Sequence, residues 1–348
     1  MTMRNEKYPN QYRTFFALVR RHLLVFFKDV PTRIFTLRVP LAIFAVYAVF
    51  LRPREIDQIK DFLVNNVDGV TREALESKQR EPLLHRIYGI ADCWMISGVL
   101  AVSCITVSLN SNYIVVRDKE RKISRDFVSS PILPRTISFS YLVFNCIVTF
   151  MINVLVFFLS QIYLAAYGAY RISFLDFLAI IGIILLSSLS ASTLTYFICS
   201  FIQREAVRSP IVAIVSAGVG FLIGAYRPSN RGPKYIGEVT RFFPGTYSAG
   251  LFRNYFMNRP VSLLTEQFSQ AEYEVFKPLI GALTGEFSLT LSFFGRIVSP
   301  LTRRGVVFIF IGIFLVLDII FSSRNALNFL QSRKKGKKKE KPSFKEGK

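Results

Sequence analysis

The apolar residues of this chain form long, nearly uninterrupted runs that are separated by charged segments. At about 1.5 Å per residue, a helix built from such a run crosses most of a hydrocarbon core about 30 Å thick. The runs lie at 34–51, 94–116, 138–159, 174–202, 210–226 and 306–321. The pattern predicts an all-α integral membrane protein with six transmembrane helices, whose transmembrane domain covers 34–325.

The segment before the first run has helical periodicity but carries too many charges to cross a membrane. Apolar residues such as Phe15 and Phe16 recur on one arc of this helix. Arg20 and Arg21 lie on the opposite arc. A helix with one apolar and one basic face is typical of the membrane interface. We therefore expect an amphipathic interfacial helix within a cytoplasmic N-terminal region, 1–33.

Positive charge is concentrated in segments that six crossings would place on one side of the membrane. These segments hold +17 of the formal net charge of +21, as expected when cytoplasmic loops retain Lys and Arg. They are 1–33, 117–135, 201–209 and 322–348. Both termini are therefore predicted to be cytoplasmic, and the basic tail 326–348 is predicted to be disordered from Arg333 onward.

Two longer segments are predicted to be external. Residues 52–92 hold seven basic and eight acidic residues, and 227–304 is too polar for continuous spanning. Its apolar stretches, 242–256 and 278–294, predict re-entrant or interfacial helices before the last span. A seventh crossing at 278–294 is the alternative, although it would put the basic tail outside. Arg303 and Arg304 fall on the predicted external side of the last span, against the charge rule.

The composition excludes several functions. No glycine-rich phosphate loop occurs, so the chain is not expected to bind ATP or Mg²⁺ itself. His22 and His85 are the only histidines, too few for zinc or triad chemistry inside the membrane. The cysteines are read as buried apolar residues and not as metal ligands. We expect no catalytic site, no metal and no bound cofactor, and no nucleic acid partner, because the positive charge follows the span ends.

Two charges fall inside predicted spans, where ionised groups are costly. Arg38 in the first span and Asp318 in the last lie at similar depth from the cytoplasmic end. One hypothesis is that they form an ion pair that holds these two spans together. The alternative is that Arg38 extends to the headgroups independently. The fourth predicted span is rich in Ser and Thr, which favours close helix packing over a substrate-lining face.

The loop after the second span reads R-D-K-E-R-K-I-S-R-D-F-V-S-S-P-I-L-P-R over 117–135. Together with the interfacial helix and the order of spans and loops, it resembles the membrane subunits of type-2 ABC exporters, the ABC-2 permease family. The matching residues are Asp118, Glu120, Arg121, Arg125, Phe127 and Pro131. Lys122 and Ile123 stand where the family commonly has a glycine-containing turn, and Pro134 is an additional proline. A later stretch, Phe243 to Arg253, resembles the re-entrant helices of the family.

The resemblance implies a half-transporter that works by alternating access. A separate ABC ATPase subunit, carrying ATP and Mg²⁺, would dock beneath the 117–135 loop and the interfacial helix. A second permease chain, identical or similar, would complete the transporter in a lipid bilayer, expected to be a bacterial plasma membrane. The long external segments favour export of a hydrophobic or amphipathic drug or lipid. Export of a lipid-linked cell-envelope polysaccharide and a non-transporting membrane scaffold or sensor are the alternatives.

In this family the second and fifth spans line the cavity, which implies a set of path residues. The second span carries an unusual number of small polar side chains. The candidates are Ser97, Ser103, Thr106, Ser108 and Asn110. For each of them, a role in helix packing is the alternative.

Overall fold

All six predicted spans are helical, so the all-α prediction is confirmed. The computed structural model describes residues 10–66, 81–166, 173–225, 240, 242–267, 292–293, 296–297 and 299–339. The helices are α1 (Gln11–Lys28), α2 (Val30–Val46), α3 (Arg52–Asn66), α4 (Glu81–Ser111), α5 (Tyr113–Glu120), α6 (Ile123–Ser129), α7 (Pro134–Ala166), α8 (Phe174–Ser200), α9 (Glu205–Leu222), α10 (Pro244–Gln267) and α11 (Pro300–Lys339). A π-helical turn, Tyr47–Leu51, joins α2 to α3. Strands β1 (Ser292–Phe293) and β2 (Arg296–Ile297) form a short antiparallel pair.

Most spanning helices are longer than the apolar runs that predicted them. The stretches long and apolar enough to cross a membrane are 30–54, 88–120, 134–166, 174–200, 205–222 and 300–321. The backbone of a helix satisfies its own hydrogen bonds, so a helix continues into polar sequence where hydropathy falls. Pro134, the additional proline of the loop, is the first residue of α7, a position where proline costs nothing because its missing N–H has no partner there.

The centre of the bundle is α4, which packs against α2, α7, α8, α9 and α10. The most apolar stretch of the 88–120 span is completely buried. Glycines permit two of these close approaches. A Cβ at Gly98 would lie 2.9 Å from the carbonyl oxygen of Ala225, and a Cβ at Gly245 would lie 2.7 Å from Cδ1 of Ile105. Larger residues at either glycine would push α4 away from its neighbours.

The helix α10 begins deep inside the bundle. Its first turn, at Gly245, lies against Ile105, which is halfway along the 88–120 span. The helix is thus anchored inside the bundle, and Phe252 and Phe256 are fully buried. A re-entrant path for this segment stays a prediction.

The last helix differs from the prediction. Because α11 runs to Lys339, the first residues of the tail predicted to be disordered are helical. Lysine and arginine are good helix formers, so the helix extends past the membrane without an apolar face. Most of the apolar stretch 278–294, with its alternative seventh crossing, lies outside the described residues, as do 67–80 and 340–348.

Candidate coupling site

The loop predicted to contact an ATPase is built from two short helices. After a break at Asn112, α5 continues the direction of α4 as far as Glu120. The chain then turns through Lys122, whose φ of 63° lies in the left-handed region, and enters α6. Glycine adopts this conformation at the lowest energetic cost. This explains why the ABC-2 permease family, which the loop resembles, commonly has a glycine-containing turn at this position.

Four consecutive residues of α5 contact four different parts of the bundle. Side chains in a helix are rotated by about 100° per residue, so four in a row face all sides. Arg117 Nη1 lies 3.1 Å from Asp29 Oδ2, at the junction of α1 and α2. Lys119 Nζ donates to the carbonyls of Ser200 (2.7 Å) and Cys199 (3.0 Å), which end α8.

The two remaining residues of this set complete the contacts. Glu120 Oε2 accepts the backbone N–H of Glu205 at 3.3 Å, where α9 begins. Asp118 points inward and is fully buried. The end of α5 therefore holds α1, α2, α7, α8 and α9 together at one end of the bundle.

The centre of the site is the Asp118 cluster, which consists of Arg21, His22, Asp118, Phe127 and Tyr141. Arg21 donates to Asp118 through both terminal guanidinium nitrogens, Nη1 at 2.7 Å and Nη2 at 3.2 Å. Tyr141 Oη donates to the same carboxylate at 2.6 Å. A buried carboxylate needs such charge-assisted bonds to offset its lost hydration. These contacts join α1 and α7 to α5.

Phe127 links the exposed helix α6 to this buried carboxylate. The Arg21 guanidinium lies over the Phe127 ring, 5.1 Å from its centroid, a cation–π geometry. Phe127 also packs against the buried apolar residues between α1 and α7. Arg21 therefore contacts both the exposed helix α6 and the buried carboxylate of Asp118.

His22 fills the remaining side of the cluster. Its ring stacks on Tyr141 with centroids 4.0 Å apart, and Nε2 lies 3.2 Å from Ser140 Oγ. Burial and the neighbouring Arg21 charge lower the pKa of His22 from 6.5 to about 3. The imidazole is therefore neutral at pH 7 and serves as an aromatic contact between α1 and α7.

The structure separates the predicted coupling residues into two groups. Glu120, Arg121, Arg125 and Pro131 are exposed, and Phe127 is partly buried. Asp118 was predicted with them, but it is 0% exposed, so a docked partner does not reach it. Its place is behind the contact surface, where it holds Arg21.

The predicted residues of the interfacial helix also fall into two groups, those that are exposed and those that contact the bundle. Phe16 and Arg20 are exposed, whereas Arg21 turns toward Asp118. Phe15 packs on Phe139 of α7, with ring centroids 5.6 Å apart. The arginine that the amphipathic pattern assigned to the polar face thus makes the main buried ion pair of this end.

The predicted path residues are all buried in the bundle. Ser108 Oγ bonds Asn145 Oδ1 (2.7 Å) and Thr195 Oγ1 (2.6 Å), and Ser192 bonds the same Asn145 atom at 2.8 Å. These bonds connect α4, α7 and α8, as expected for polar groups within a membrane bundle. The other predicted path residues, Ser97, Ser103, Thr106 and Asn110, are also buried.

The described residues enclose a small cavity between α4, α8 and α10. It has about 10 Å³ of space for a water-sized sphere, room for about one water molecule. Its wall includes Cys104 and Ile105 of α4, Ser187 of α8 and Gly245 of α10, but none of the five predicted path residues. Of the five, Ser108 bonds neighbouring helices, and the role of all five in a path stays a prediction.

The hypothetical ion pair between Arg38 and Asp318 is not formed. Arg38 is exposed. Asp318 is 1% exposed, and within the described part of the chain neither of its carboxylate oxygens has a hydrogen-bond partner. Because Arg38 is exposed and Asp318 is buried, the alternative that Arg38 extends to the headgroups independently agrees better with the structure.

Sequence reasoning missed three residues of the site. Tyr141 lay inside an apolar run, where a tyrosine gives no sign of its partner. Asp29 carries no sequence signal of its partners, yet it accepts bonds from Arg117 Nη1 and Tyr113 Oη, each at 3.1 Å. Lys119 was counted only as positive charge, although it binds the end of α8. One sequence signal does connect Tyr141 with Asp118. Asp118 lies just after the second predicted span and Tyr141 near the start of the third, so both are expected at a similar depth in the membrane.

The opposite end of the 88–120 span carries a second buried carboxylate, in the Asp92 cluster of Tyr47, Arg52 and Asp92. Tyr47 Oη donates to Asp92 Oδ1 at 2.8 Å. Arg52 Nε lies 3.0 Å from the same oxygen, and its Nη2 lies 3.3 Å from Oδ2. This cluster fixes the π-helical turn and the start of α3 to α4.

These features define a class of protein, a multi-pass membrane protein with basic loops at one end of its bundle. At that end, a buried carboxylate paired with an arginine lies beneath an exposed helix. The family model for ABC-2 type transporters matches residues 13–257. The chain therefore belongs to the ABC-2 type transporter family and is the permease subunit of an ABC transporter. The match includes the whole Asp118 cluster. A comparison with curated proteins gives no match.

Proposed function

We propose that this chain is the permease of an ABC exporter, in which an ATPase subunit docks on α6 and on the exposed side of α1. The observation that carries the proposal is the Arg21 side chain, which contacts Phe127 of α6 and Asp118 of α5 at once. A partner that moves α6 would therefore act on the carboxylate that joins α1 and α7 to α5. Both termini would be cytoplasmic, in a plasma membrane.

The exposed residues of the loop are suited to such a contact. Arg121 and Arg125 supply positive charge at its surface, which steers an acidic partner surface. Behind them, Phe127 supplies an apolar group. The fully buried core of an interface is typically apolar and its rim polar, the arrangement found here.

The transported compound is proposed to be hydrophobic or amphipathic, a drug or a lipid, and to pass between two permease chains. In support of contact with lipid and with a second chain, the outer faces of α9 and α11 are apolar. Ile214 and Phe221 of α9 are 73% and 66% exposed, and Phe308 of α11 is 59% exposed. Surfaces of this kind are stable only against lipid tails or another apolar surface.

The test is purification of the chain from its native membrane in a mild detergent, followed by mass spectrometry and an ATPase assay. We expect an ABC ATPase to co-purify with the native chain. The combined change of Arg121, Arg125 and Phe127 to Ala is expected to lower its recovery at least tenfold. As the matched control, Arg54→Ala removes a charge at the other end of the bundle and should leave recovery unchanged.

Recovery of the folded native chain without any ABC ATPase, under several detergent conditions, would contradict the proposal. A membrane scaffold or sensor would then be the better interpretation. Reconstitution of the purified complex in vesicles, with accumulation of a fluorescent amphiphile measured with and without ATP, tests the direction of transport.

A further inference from the structure

The helix break at Asn112 lies between the centre of the bundle and the coupling site. Helix α4 ends at Ser111 and α5 begins at Tyr113, and Asn112 between them has a ψ of 0°. The last carbonyls of a helix lack partners within that helix. Because backbone hydrogen bonding is weaker at such a point, the two helices can change their relative angle unless other contacts fix them.

Arg208 of α9 binds the α4 side of this break. The side chain is 7% exposed, and its Nη1 donates to the carbonyl oxygen of Leu109, in the last turn of α4, at 3.1 Å. Its Nε and Nη2 donate to the carboxylate of Glu205, one turn earlier on α9, at 2.8 and 2.6 Å. A carboxylate that accepts two guanidinium nitrogens fixes the orientation of the arginine. Arg208 therefore joins the start of α9 to the end of α4 in a defined geometry.

The same turns of α9 also bind the α5 side of the break. The backbone N–H of Glu205 donates to Glu120 Oε2, at the end of α5. In addition, Val116 of α5 is buried in a small apolar cluster with Ile202, and Ile211 of α9 packs against this cluster. The start of α9 therefore contacts both of the helices that meet at the break.

The rest of α9 is held less tightly by the bundle than α4 is. Only 22% of 205–222 is buried, whereas the most apolar stretch of 88–120 is completely buried. Ile214 and Phe221, on the outer side of α9, are exposed. The position of α9 therefore depends strongly on the contacts of its first two turns.

We propose that Arg208 is a positioning residue that fixes the start of α9 to the break, so that α9 follows a displacement of α5. The inference rests on the proposed function, in which an ATPase displaces the coupling site and α9 faces the second permease chain. It adds the contact that connects these two events. Without Arg208, a displacement of α5 would be absorbed at Asn112 and would not reach α9.

Hydrogen–deuterium exchange, measured by mass spectrometry on the full-length chain in dodecyl maltoside, tests the first part of the inference. Arg208→Met keeps the length of the side chain but removes its donors, while the Glu205 side chain keeps 40% exposure and remains hydrated. Amides of 205–212 should exchange about fivefold faster in this variant, the effect of one lost hydrogen bond. Arg204→Gln, which removes an exposed charge from the same segment, should match the native chain.

The second measurement uses the complex with the co-purified ABC ATPase, without nucleotide and after trapping with ATP and vanadate. In the native complex, trapping should change the exchange of both 113–120 and 205–212. In Arg208→Met the change at 113–120 should persist, and the change at 205–212 should be about threefold smaller. A residue that only stabilised the fold would not separate the two segments.

If Arg208→Met is not recovered as a folded protein, Arg208→Lys carries the test. It keeps a donor but loses the planar fork, and the change at 205–212 should fall about twofold. A change of native size at 205–212 in a folded Arg208 variant overturns the inference. A native complex in which 113–120 responds to trapping and 205–212 does not overturns it as well.

Failure of the proposed function gives a different result. A native chain that binds no ABC ATPase, or a complex in which 113–120 does not respond to trapping, overturns the proposed function and this inference with it. Both results are seen in the native chain, before any Arg208 variant is made.

Discussion

The two ends of the 88–120 span carry the same chemical arrangement with different surroundings. At each end a buried aspartate accepts one arginine and one tyrosine hydroxyl: Asp118 from Arg21 and Tyr141, Asp92 from Arg52 and Tyr47. The two carboxylates are separated by about 39 Å of helix, close to the thickness of a bilayer with its headgroups. Each cluster fixes the central helix to its neighbours.

The difference lies in what the arginine touches on its other side. Arg21 also contacts Phe127 of the exposed helix α6, whereas Arg52 belongs to the helix that continues directly from the first span. The same ion pair is therefore a link to the proposed docking surface at one end and a structural anchor at the other. Coupling, in this interpretation, depends on where the pair is attached and not on its strength.

Replacing either carboxylate should separate these two roles. We expect Asp118→Asn to lower the free energy of unfolding by about 3 kcal/mol, the lower part of the range for a broken buried pair, since the Arg21 side chain keeps 29% exposure. Asp92→Asn should cost a similar amount, because its geometry is similar. Thermal unfolding in detergent measures both.

Only Asp118→Asn should uncouple the transporter. Per folded molecule, its transport driven by ATP is expected to fall more than tenfold, while Asp92→Asn retains at least half of the native rate. Reconstituted transport and ATPase rates, normalised to folded protein, provide the measurement. Equal losses of transport in the two variants would show that both carboxylates are only structural.

Phe127 tests the link between the docking surface and the buried pair. In Phe127→Ala the cation–π contact with Arg21 is lost, a contact worth about 1 kcal/mol, and transport should fall about fivefold with little change in unfolding temperature. Phe127→Tyr keeps an aromatic face and should keep most of the transport rate. A native rate in the Ala variant would mean that α6 acts without Arg21.

His22 makes the stability of the Asp118 end depend on pH. Because burial lowers its pKa to about 3 in the folded chain, against 6.5 when unfolded, only the unfolded chain gains its proton between these values. Stability from this group is complete above pH 6.5 and is lost as the pH falls toward 3. His22→Gln should flatten this part of the unfolding-temperature profile between pH 7 and 4. An identical slope in both proteins would assign the pH dependence to other groups.

The smallest effect is expected at the turn before α6. Lys122 has a φ of 63°, a strain that Lys122→Gly relieves. The gain is at most about 1 kcal/mol, since glycine also increases the entropy of the unfolded chain. Lys122→Val, with a branched side chain in the same conformation, should lower the unfolding temperature. A stabilising valine would contradict the left-handed turn.

The spans and the position of the loop could be predicted from sequence because they depend on local hydropathy and on charge. The partners of Asp118 could not, because Arg21 and Tyr141 are distant in sequence and their approach depends on helix packing. The same limit applies to Arg38 and Asp318. Sequence indicates that both lie at one depth, but which way each side chain faces is determined by helix rotation, which hydropathy does not measure.

The path residues illustrate a second limit. A serine on a transmembrane helix has the same sequence signature whether it lines a channel or bonds a neighbouring helix. Ser108 turned toward Asn145 and Thr195, and both partners lie on other spans. Only the assembled bundle distinguishes these two uses of a small hydroxyl group.

The π-helical turn between α2 and α3 determines which way the Tyr47 and Arg52 side chains point. Side chains five positions apart in an α-helix point about 140° away from each other. The bond from the N–H of Arg52 to the carbonyl of Tyr47 closes a wider turn, which brings these two side chains above one another and lets both reach Asp92. The helix therefore contains one inserted residue relative to a regular one. If the same residues formed a regular α-helix without the inserted one, the Tyr47 and Arg52 side chains would point about 140° apart, and only one of the two donors would reach Asp92.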